Sequence, residues 1–510
     1  MKRITAKGTQ IPAAVGGWNA RDSLAEMEDT DAVLMENIFP GTTDVTLRYG
    51  KTNHATGLGG QVQTLAPYAS GSSNKLKAIT ENGSIFDVTS SGAVGAAEVT
   101  GLSNGKFQFV NFTTSAGSYL CLVNGADKRR VYDGSSWFVD GDGAPYDITN
   151  VSSENLAHIH VFKSRQWFIQ KSTLKAWYLP INAIGGAATA LDLSGVFQDG
   201  GALQAMATWT IDAGYGVDDY AVWITTKGEL AVYRLTDPTT PTGIALIGIW
   251  EIGAPVGRRC FTKYAGDLLI VTEDGVLPLS SALQSSRFNP KVSLTDKITQ
   301  AMSAAVASYG SNFGWELTLY PKENQLYLNV PVSEGASQEQ YVMNTITKNW
   351  CNFTDWEANT FAVFNEDLYY GGNAVVCQAW NGNQDAGTQI EGRVLQAFND
   401  FDSPILNKRF TMIRPIFFSD GSPQIYGNIN VDYDTSDATA ALTYVTPTTA
   451  LWDTAVWDTD VWGGGQTVLK NWQGANGIGK TGAIQLKIAA SGIVVRHVST
   501  DIVFEPGAIL

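Results

Sequence analysis

Residues 76–88 read Leu-Lys-Ala-Ile-Thr-Glu-Asn-Gly-Ser-Ile-Phe-Asp-Val, and this stretch decides the fold class. Two short runs that suit β-strands flank Asn82-Gly83, a dipeptide that favours a tight hairpin turn because both residues tolerate positive φ. The same theme recurs at residues 119–137, 158–169, 220–235, 267–279, 315–330 and 367–380. The sequence therefore predicts an all-β protein made of repeated hairpins.

The spacing of the hairpins points to a β-propeller-like domain. They follow one another at uneven intervals between residues 60 and 385, without the long connections that Greek keys need. A four-stranded blade takes about 40 to 50 residues, so this stretch could hold six or seven blades. A pair of β-sandwiches is the alternative.

Three segments are predicted: an N-terminal arm with short helices (1–59), the β-propeller-like domain (60–385) and a C-terminal β domain (386–510). The last has strands near 410–418, 429–433, 483–488 and 493–504. Few helices are expected. The best candidate runs from an N-cap at Ser293 to Tyr309 before Gly310, and a shorter one spans Asp31–Asn37, just after a capping box at 23–26.

Composition limits the possible functions. The chain is 44% hydrophobic and 16% charged, which indicates a folded protein. Its net charge of −15 argues against tight DNA binding, because phosphate affinity comes from Lys and Arg. No stretch approaches the ~18 apolar residues of a membrane helix, so we expect a chain made in the cytoplasm without membrane insertion.

No metal site is predicted. The cysteines Cys121, Cys260, Cys351 and Cys377 form no CxxC pair, which favours buried free thiols. His158 and His160 share one side of a strand and could ligate a metal, but no carboxylate or cysteine is near in sequence. Partly buried, hydrogen-bonded histidines are the better interpretation, and His54 and His497 are isolated.

One stretch formally satisfies the P-loop pattern. It is Gly474-Ala-Asn-Gly-Ile-Gly-Lys-Thr481, but an alternating strand-like run follows it where a phosphate-binding helix would be required. We interpret it as a glycine-rich hairpin loop and predict no nucleotide or other cofactor.

Two groups of residues leave sharper alternatives open. Asp212, Asp218 and Asp219 could hold calcium or, together with Glu229, serve a propeller glycosidase, although a solvated turn is the more ordinary interpretation. The sialidase-like box at 133–137 lacks the full pattern and does not recur. Trp452, Trp457 and Trp462 recur every five residues, which fits successive turns or a carbohydrate- or receptor-binding surface.

Three short basic clusters complete the candidates: Lys128-Arg129-Arg130, Arg258-Arg259 and Lys408-Arg409. They suit salt bridges to a neighbouring subunit at least as well as DNA. No catalytic, cofactor-binding or metal-binding residue is assigned.

Several motifs resemble the tail nozzle proteins of short-tailed bacteriophages, also called tail tubular protein B or packaged-DNA stabilisation proteins. They are Gly16-Gly-Trp-Asn-Ala-Arg-Asp22, Asn37-Ile-Phe-Pro40, Leu47-Arg-Tyr-Gly50, Phe162-Lys-Ser-Arg165, Tyr178-Leu-Pro180, the stretch 219–233, Asp274–Ser280 and Phe504-Glu-Pro-Gly507. The similarity extends over most of the chain as scattered short motifs.

The resemblance implies a structural protein of the virion tail, assembled in the host cytoplasm, that is not an enzyme. It implies a homo-oligomeric ring of six subunits, mounted below the portal and its adaptor, with attachment surfaces for fibres or spikes. Phage DNA would be held in the lumen without sequence specificity and would exit through it at infection.

Overall fold

The computed structural model describes residues 6–71, 73–212, 217–282, 290–444 and 466–507. The described part of the chain is almost entirely strand and turn, which confirms the all-β prediction. Its two α-helices are α1 (Leu279–Ala282) and α2 (Thr299–Tyr309), and single 3-10 turns lie at Ser153–Asn155, Pro241–Gly243, Pro290–Val292, Asp296–Ile298 and Pro321–Glu323. Neither α-helix is long enough to span a membrane.

The strands, numbered in chain order, are β1 Lys7–Pro12, β2 Gly17–Trp18, β3 Asp31–Glu36, β4 Ile38–Pro40, β5 Val45–Leu47, β6 Lys51–Tyr68, β7 Lys75–Thr80, β8 Ile85–Asp87, β9 Gly92–Ala93, β10 Gln108–Thr114, β11 Gly117–Val123, β12 Arg130–Tyr132, β13 Trp137–Val139, β14 Ile148–Thr149, β15 Leu156–Phe162, β16 Arg165–Gln170, β17 Lys175–Tyr178, β18 Gly186–Ala187, β19 Thr189–Asp192, β20 Leu203–Asp212, β21 Val217–Thr225, β22 Glu229–Leu235, β23 Ile244–Glu251, β24 Phe261–Tyr264, β25 Asp267–Thr272, β26 Gly275–Pro278, β27 Glu316–Tyr320, β28 Gln325–Ser333, β29 Ser337–Asn344, β30 Trp350–Phe353, β31 Thr360–Phe364, β32 Asp367–Gly371, β33 Asn373–Ala379, β34 Ile390–Gln396, β35 Lys408–Ser419, β36 Gln424–Val431, β37 Thr467–Lys470, β38 Gln473–Gly479, β39 Gly482–Ala490 and β40 Val495–Pro506.

The chain forms two compact units, and the division differs from the predicted segments. Unit 1 combines Met1–Thr52, Tyr341–Thr354 and Ala379–Leu510, whereas unit 2 contains Asn53–Gln340 and Asp355–Gln378. The N-terminal segment is therefore not a separate arm. The helix expected at Asp31–Asn37 is wrong, because this stretch is strand β3, paired with β34 from the C-terminal part of the chain.

Unit 2 is the propeller-like part. Four antiparallel meanders are separate blade-like sheets, with strand orders β10-β11-β12-β13, β15-β16-β17-β19, β20-β21-β22-β23 and β24-β25-β26. Further meanders flank them at β6–β8, at β27–β28 and at β31–β33. Each of the hairpins predicted from the turn dipeptides is present.

Neighbouring meanders pack through apolar side chains. Trp167 of β16 lies against Trp223 of β21, with ring centroids 5.8 Å apart, and both indoles are fully buried. The series also returns to its start, since β6 pairs with β7 on one side and with β33 of the last meander on the other. Because the last meander pairs with the first, the meanders are arranged around a common centre.

Unit 1 contains two groups of paired strands. In the first, β40 lies between β35 and β5 and also pairs with β1, and in the second β34 lies between β3 and β39. The four strands predicted after residue 400 are confirmed as β35, β36, β39 and β40. A buried bidentate ion pair stabilises this unit, with Arg48 Nη1 and Nη2 at 2.9 and 2.6 Å from the two carboxylate oxygens of Asp385.

The predicted helix at 293–309 is present in shortened form. It ends at Tyr309, as predicted, but α2 begins only at Thr299 after the 3-10 turn at Asp296–Ile298. Ser293 is not its N-cap, because its hydroxyl lies 2.8 Å from that of Thr295 and donates to the carbonyl of Val276.

Candidate functional site

The first strands of the meanders in unit 2 surround a central channel. Strands β10, β15, β20, β24 and β27 all contribute to a cavity of about 260 Å³. Its lining includes Gln108, His158, Thr208, Lys263 and Leu317. A second cavity of about 390 Å³ shares Arg258 and Arg259 with the first, so the two adjoin along the channel.

Arg259 occupies the centre of this arrangement. Its guanidinium donates hydrogen bonds to five acceptors, which are Glu316 Oε2 at 3.0 Å, Thr360 Oγ1 at 2.6 Å, Gln63 O at 3.3 Å, Thr64 Oγ1 at 2.8 Å and Phe107 O at 3.0 Å. These acceptors belong to or adjoin β27, β31, β6 and β10. One side chain from next to β24 thus joins the inner strands of four other meanders, which is possible only close to the axis.

Arg258, the neighbour of Arg259, makes fewer hydrogen bonds. Its Nη1 donates to the carbonyl of Asn124 at 3.2 Å, and no carboxylate of the described residues forms an ion pair with it. Burial, together with the charge of Arg259, lowers the pKa of Arg258. Nearby, Lys106 is neutralised by Glu334 at 2.6 Å.

Two histidines of β15 line the same channel. His158 Nε2 is 3.0 Å from the carbonyl oxygen of Met206, and His160 Nε2 is 2.8 Å from Thr208 Oγ1. The prediction of partly buried, hydrogen-bonded histidines is confirmed. Because a carbonyl can only accept, the proton of neutral His158 is on Nε2, and its buried Nδ1 has no hydrogen-bond partner.

The channel walls desolvate both imidazoles, although each ring keeps some contact with solvent. Burial lowers the pKa of His158 to about 4 and that of His160 to about 3, and the charges of Arg258 and Lys263 act in the same direction. Both rings are therefore neutral at pH 7.

Gln108 is a channel residue that the sequence analysis missed. It is 8% exposed, and its side-chain Nε2 is buried without a hydrogen-bond partner. The only local signal was a polar residue at the start of the apolar run Gln-Phe-Val, which does not distinguish an inward-facing position from an outward-facing one.

The structure separates the carboxylates that a glycosidase would need close together. Asp219 accepts from Thr210 Oγ1 at 2.7 Å, whereas both oxygens of Glu229 accept backbone N–H groups, from Gln198 and Asp199 at 2.8 Å. They lie at opposite ends of the β21–β22 hairpin, where Tyr220 faces Arg234 and Ile224 faces Leu230. Six strand residues correspond to ~20 Å, far beyond the ~5 to 9.5 Å of a catalytic pair. The side chains of Asp212 and Asp218 lie outside the described residues.

The P-loop-like stretch contains a β-strand. Residues Gln473–Gly479 form β38, which pairs with β35, and β39 follows at Gly482 with β34 and β36 as its partners. No helix N-terminus is present to hold phosphates. The expected hairpin loop is wrong in detail, because β38 and β39 do not pair with each other and the chain changes sheets at Lys480-Thr481.

In each basic cluster, one side chain is largely buried. Arg129 is 1% exposed and donates to Ile184 O and Gln166 Oε1, and Lys408 is fully buried with Nζ bonded to three backbone carbonyls. Together with Arg259, these side chains cannot form the predicted salt bridges to a neighbouring subunit. Lys128 and Arg409 remain exposed.

The remaining candidates add no site. All four cysteines are free and buried, as predicted, and no group of three or more His, Cys, Asp or Glu side chains that could hold a metal occurs in the described ranges. Asp133 holds the turn between β12 and β13 by accepting the N–H groups of Ser135 and Ser136. Trp452, Trp457 and Trp462 lie outside the described residues.

No protein-family model and no curated protein matches this sequence. Among solved structures, the chain is similar to BBS1N, crystallised in complex with ARL6DN (TM-score 0.40, 10% identity, 65% of this chain and 96% of that chain). It is also similar to YCF48 bound to a D1 peptide (0.36, 10%, 67% and 96%) and to Sqt1 of Saccharomyces cerevisiae (0.34, 12%, 64% and 98%). These are similarities of the backbone at low identity, and no functional statement rests on them.

Proposed function

We propose that this chain is a non-enzymatic structural subunit of the tail nozzle of a short-tailed bacteriophage virion. Six copies form a ring that docks to the portal adaptor and to fibres or spikes and conducts the phage DNA. The motif resemblance described above supports this proposal. The structural observation that carries it is an exposed apolar strand at the edge of one blade-like sheet.

That strand is β23, the last of the order β20-β21-β22-β23. Leu246, Ile247 and Ile249 are 45%, 52% and 37% exposed. No other strand in the described ranges pairs with its outer edge. Three large aliphatic side chains on one edge strand favour contact with another protein surface, because a free edge of this kind otherwise promotes aggregation.

The occupant we propose for this edge is a second copy of the chain. Ile247 is the extra residue of a β-bulge opposite Val232 and Tyr233, so a long added strand would lose its register there. The contact is therefore made by side chains of β23 packing against a different surface of the next copy. Such a heterologous contact generates a ring when the rotation between successive copies closes, and our proposal requires a rotation of 60°.

The propeller channel itself is not the DNA path. A cavity of about 260 Å³ with Arg259 bonded across its centre has no room for a duplex. If the protein conducts DNA, the lumen lies between copies, which makes the ring essential to the function. The net charge of −15 then suits a wall along which DNA slides without sticking.

The test is the oligomeric state of the purified protein. We expect mass photometry to give a hexamer and electron microscopy to show a six-fold ring with an open lumen. Ile247→Lys should reduce the assembly to monomers, because it places a charge in the apolar contact. Ile405→Lys is the matched control, since Ile405 is 64% exposed in a turn of unit 1, whereas β23 belongs to unit 2.

Two results would contradict the proposal. A wild-type protein that stays monomeric at high micromolar concentration would exclude ring formation by this chain alone. A ring that survives Ile247→Lys unchanged would show that β23 is not the contact.

A further inference from the structure

Unused hydrogen-bonding capacity of two different kinds, a donor and an acceptor, is found among the lining residues of the propeller channel near Arg258. We propose that this end of the channel binds a small carboxylate that carries a hydroxyl or ammonium group. Arg258 and Gln108 would donate to the carboxylate, and His158 would accept from the hydroxyl or ammonium group. This inference does not depend on the nozzle proposal.

The first observation is the charge of the lining. The residues around the two adjoining cavities include four cations (Lys106, Arg258, Arg259 and Lys263) and two carboxylates (Glu316 and Glu334). The carboxylates are paired with Arg259 at 3.0 Å and with Lys106 at 2.6 Å. Arg258 and Lys263 form no ion pair within the described part of the chain, so the channel has an excess of two positive charges in a protein of net charge −15.

The second observation is a buried donor without an acceptor. Gln108 is more than nine-tenths buried, its side chain lines the 260 Å³ cavity, and its Nε2 has no hydrogen-bond partner. Leaving such a donor unsatisfied costs about 1–3 kcal/mol, which is why buried amide groups usually have an acceptor. An anion in the cavity would supply one.

The third observation defines the rest of the ligand. His158 Nε2–H donates to Met206 O, so Nδ1 presents a lone pair, and that atom is buried without a partner in the same lining. A bare lone pair needs a donor, which a simple carboxylate or a fully ionised phosphate does not provide. In a ligand with both groups, the carboxylate would accept from Gln108 Nε2, and the neighbouring hydroxyl or ammonium group would donate to His158 Nδ1.

The size of the cavity fits a small molecule. Ligand sites for drug-sized compounds measure about 300–1,000 Å³, and the cavity is slightly smaller, at about 260 Å³. Its walls are mixed, with Phe261, Leu268 and Leu317 beside the polar groups, so the ligand can have a short apolar portion.

The test is isothermal titration calorimetry of the full chain with L-malate, succinate and sulfate. We expect L-malate to bind, and succinate, which lacks the hydroxyl, to bind at least fivefold more weakly. Arg258→Gln should weaken malate binding at least tenfold, because it removes a charged donor from a partly desolvated site. Gln108→Leu should weaken it as well.

The matched control is Arg409→Gln, the same substitution at an exposed arginine of unit 1, which should leave malate binding unchanged. The melting temperature of each variant is measured alongside, and Arg258→Gln should melt within a few degrees of wild type because Arg258 makes one hydrogen bond to a loop carbonyl. A folded variant without binding is then distinguished from an unfolded one.

Three outcomes would overturn the proposal. Absence of heat with all three probes would mean that water alone fills the cavity. Sulfate binding as tight as malate would retain an oxyanion site but refute the role of His158, because sulfate has no hydrogen to donate to Nδ1. Malate binding unaffected by Arg258→Gln would place the ligand elsewhere.

Discussion

Arg259→Met removes a side chain that joins the inner strands of several meanders in the propeller-like unit. Methionine keeps the length of the aliphatic stem but loses five hydrogen bonds and the ion pair with Glu316. The two charged side chains are only 12% and 13% exposed, so the remaining carboxylate is left largely desolvated and uncompensated. Breaking a buried ion pair from one side costs about 3–5 kcal/mol.

Because the chain has two units, a single global unfolding energy is not a suitable measure. We would follow hydrogen exchange in peptides that contain residues 104–112 and 258–264, with peptides from β39 and β40 of unit 1 as an internal reference. A loss of 3–5 kcal/mol corresponds to roughly 150- to 5,000-fold less protection in the channel peptides. Protection in unit 1 should not change.

The matched control is Lys322→Met. Lys322 pairs with Asp367 at 2.7 Å in the same unit, but the two side chains are 50% and 35% exposed, so we expect a far smaller loss of protection than for Arg259→Met. The double variant Arg259→Met/Glu316→Met should recover part of the lost protection, because it removes the stranded carboxylate. The reasoning is refuted if Arg259→Met costs no more than Lys322→Met, or if the double variant is worse than the sum of its parts.

Three further predictions concern stability. His497 is 1% exposed, and burial lowers its pKa to about 4 from an unfolded value near 6.5. The neutral ring's contribution to stability is therefore complete above pH 6.5 and declines as the pH falls toward 4, so His497→Gln should reduce the loss of unit 1 stability between pH 7 and pH 4.5 by about 2–3 kcal/mol. Hydrogen exchange in the 495–506 peptide measures this loss, and an unchanged pH slope would contradict the prediction. Gly83→Ala should destabilise unit 2 by well over 1 kcal/mol because its new Cβ would lie 1.9 Å from Leu102 O at φ +71°, whereas Gly59→Ala, at φ +74° with open space, should cost only about 1 kcal/mol. Hydrogen exchange in unit 2 peptides compares the two variants, and equal costs would refute the packing argument. Arg48→Met should cost unit 1 about 3–5 kcal/mol by removing its buried ion pair with Asp385. Arg21→Met, whose ion pair is 42% and 29% exposed, is the near-neutral control, and an equal loss of unit 1 protection in the two variants would count against the buried pair.

The hairpins were predictable because the information that specifies them is local. In 76–88 and in 220–235, a turn dipeptide and its two flanking runs are contiguous in sequence, and β7–β8 and β21–β22 formed where the pattern placed them. Asp31–Glu36 shows the limit. Its residues permit a helix, but pairing with β34, more than 350 residues away, determines that it is a strand.

The channel could not be predicted for the same reason. Arg258-Arg259 is an ordinary dibasic pair in sequence, and its acceptors come from positions between 63 and 360. Only the closure of the hairpin series brings them together. The histidines were half predicted: alternation placed His158 and His160 on one side of a strand, whereas their partners on β20 depended on the packing of the next meander.

The position of β40 has a consequence for synthesis. This strand pairs with β1, β5 and β35. All three are synthesised before β40 and cannot complete their pairing until β40 has been made. Unit 2 needs no residue beyond Gln378, and the ribosome delivers all of it before it reaches Val495. We therefore expect the propeller-like unit to fold during synthesis while β1, β5 and β35 still lack their shared neighbour. In that interval their open backbone groups are available to any other strand, including those of nascent copies nearby, so a chaperone that covers them, or fast translation between β35 and β40, would raise the yield of correctly assembled protein.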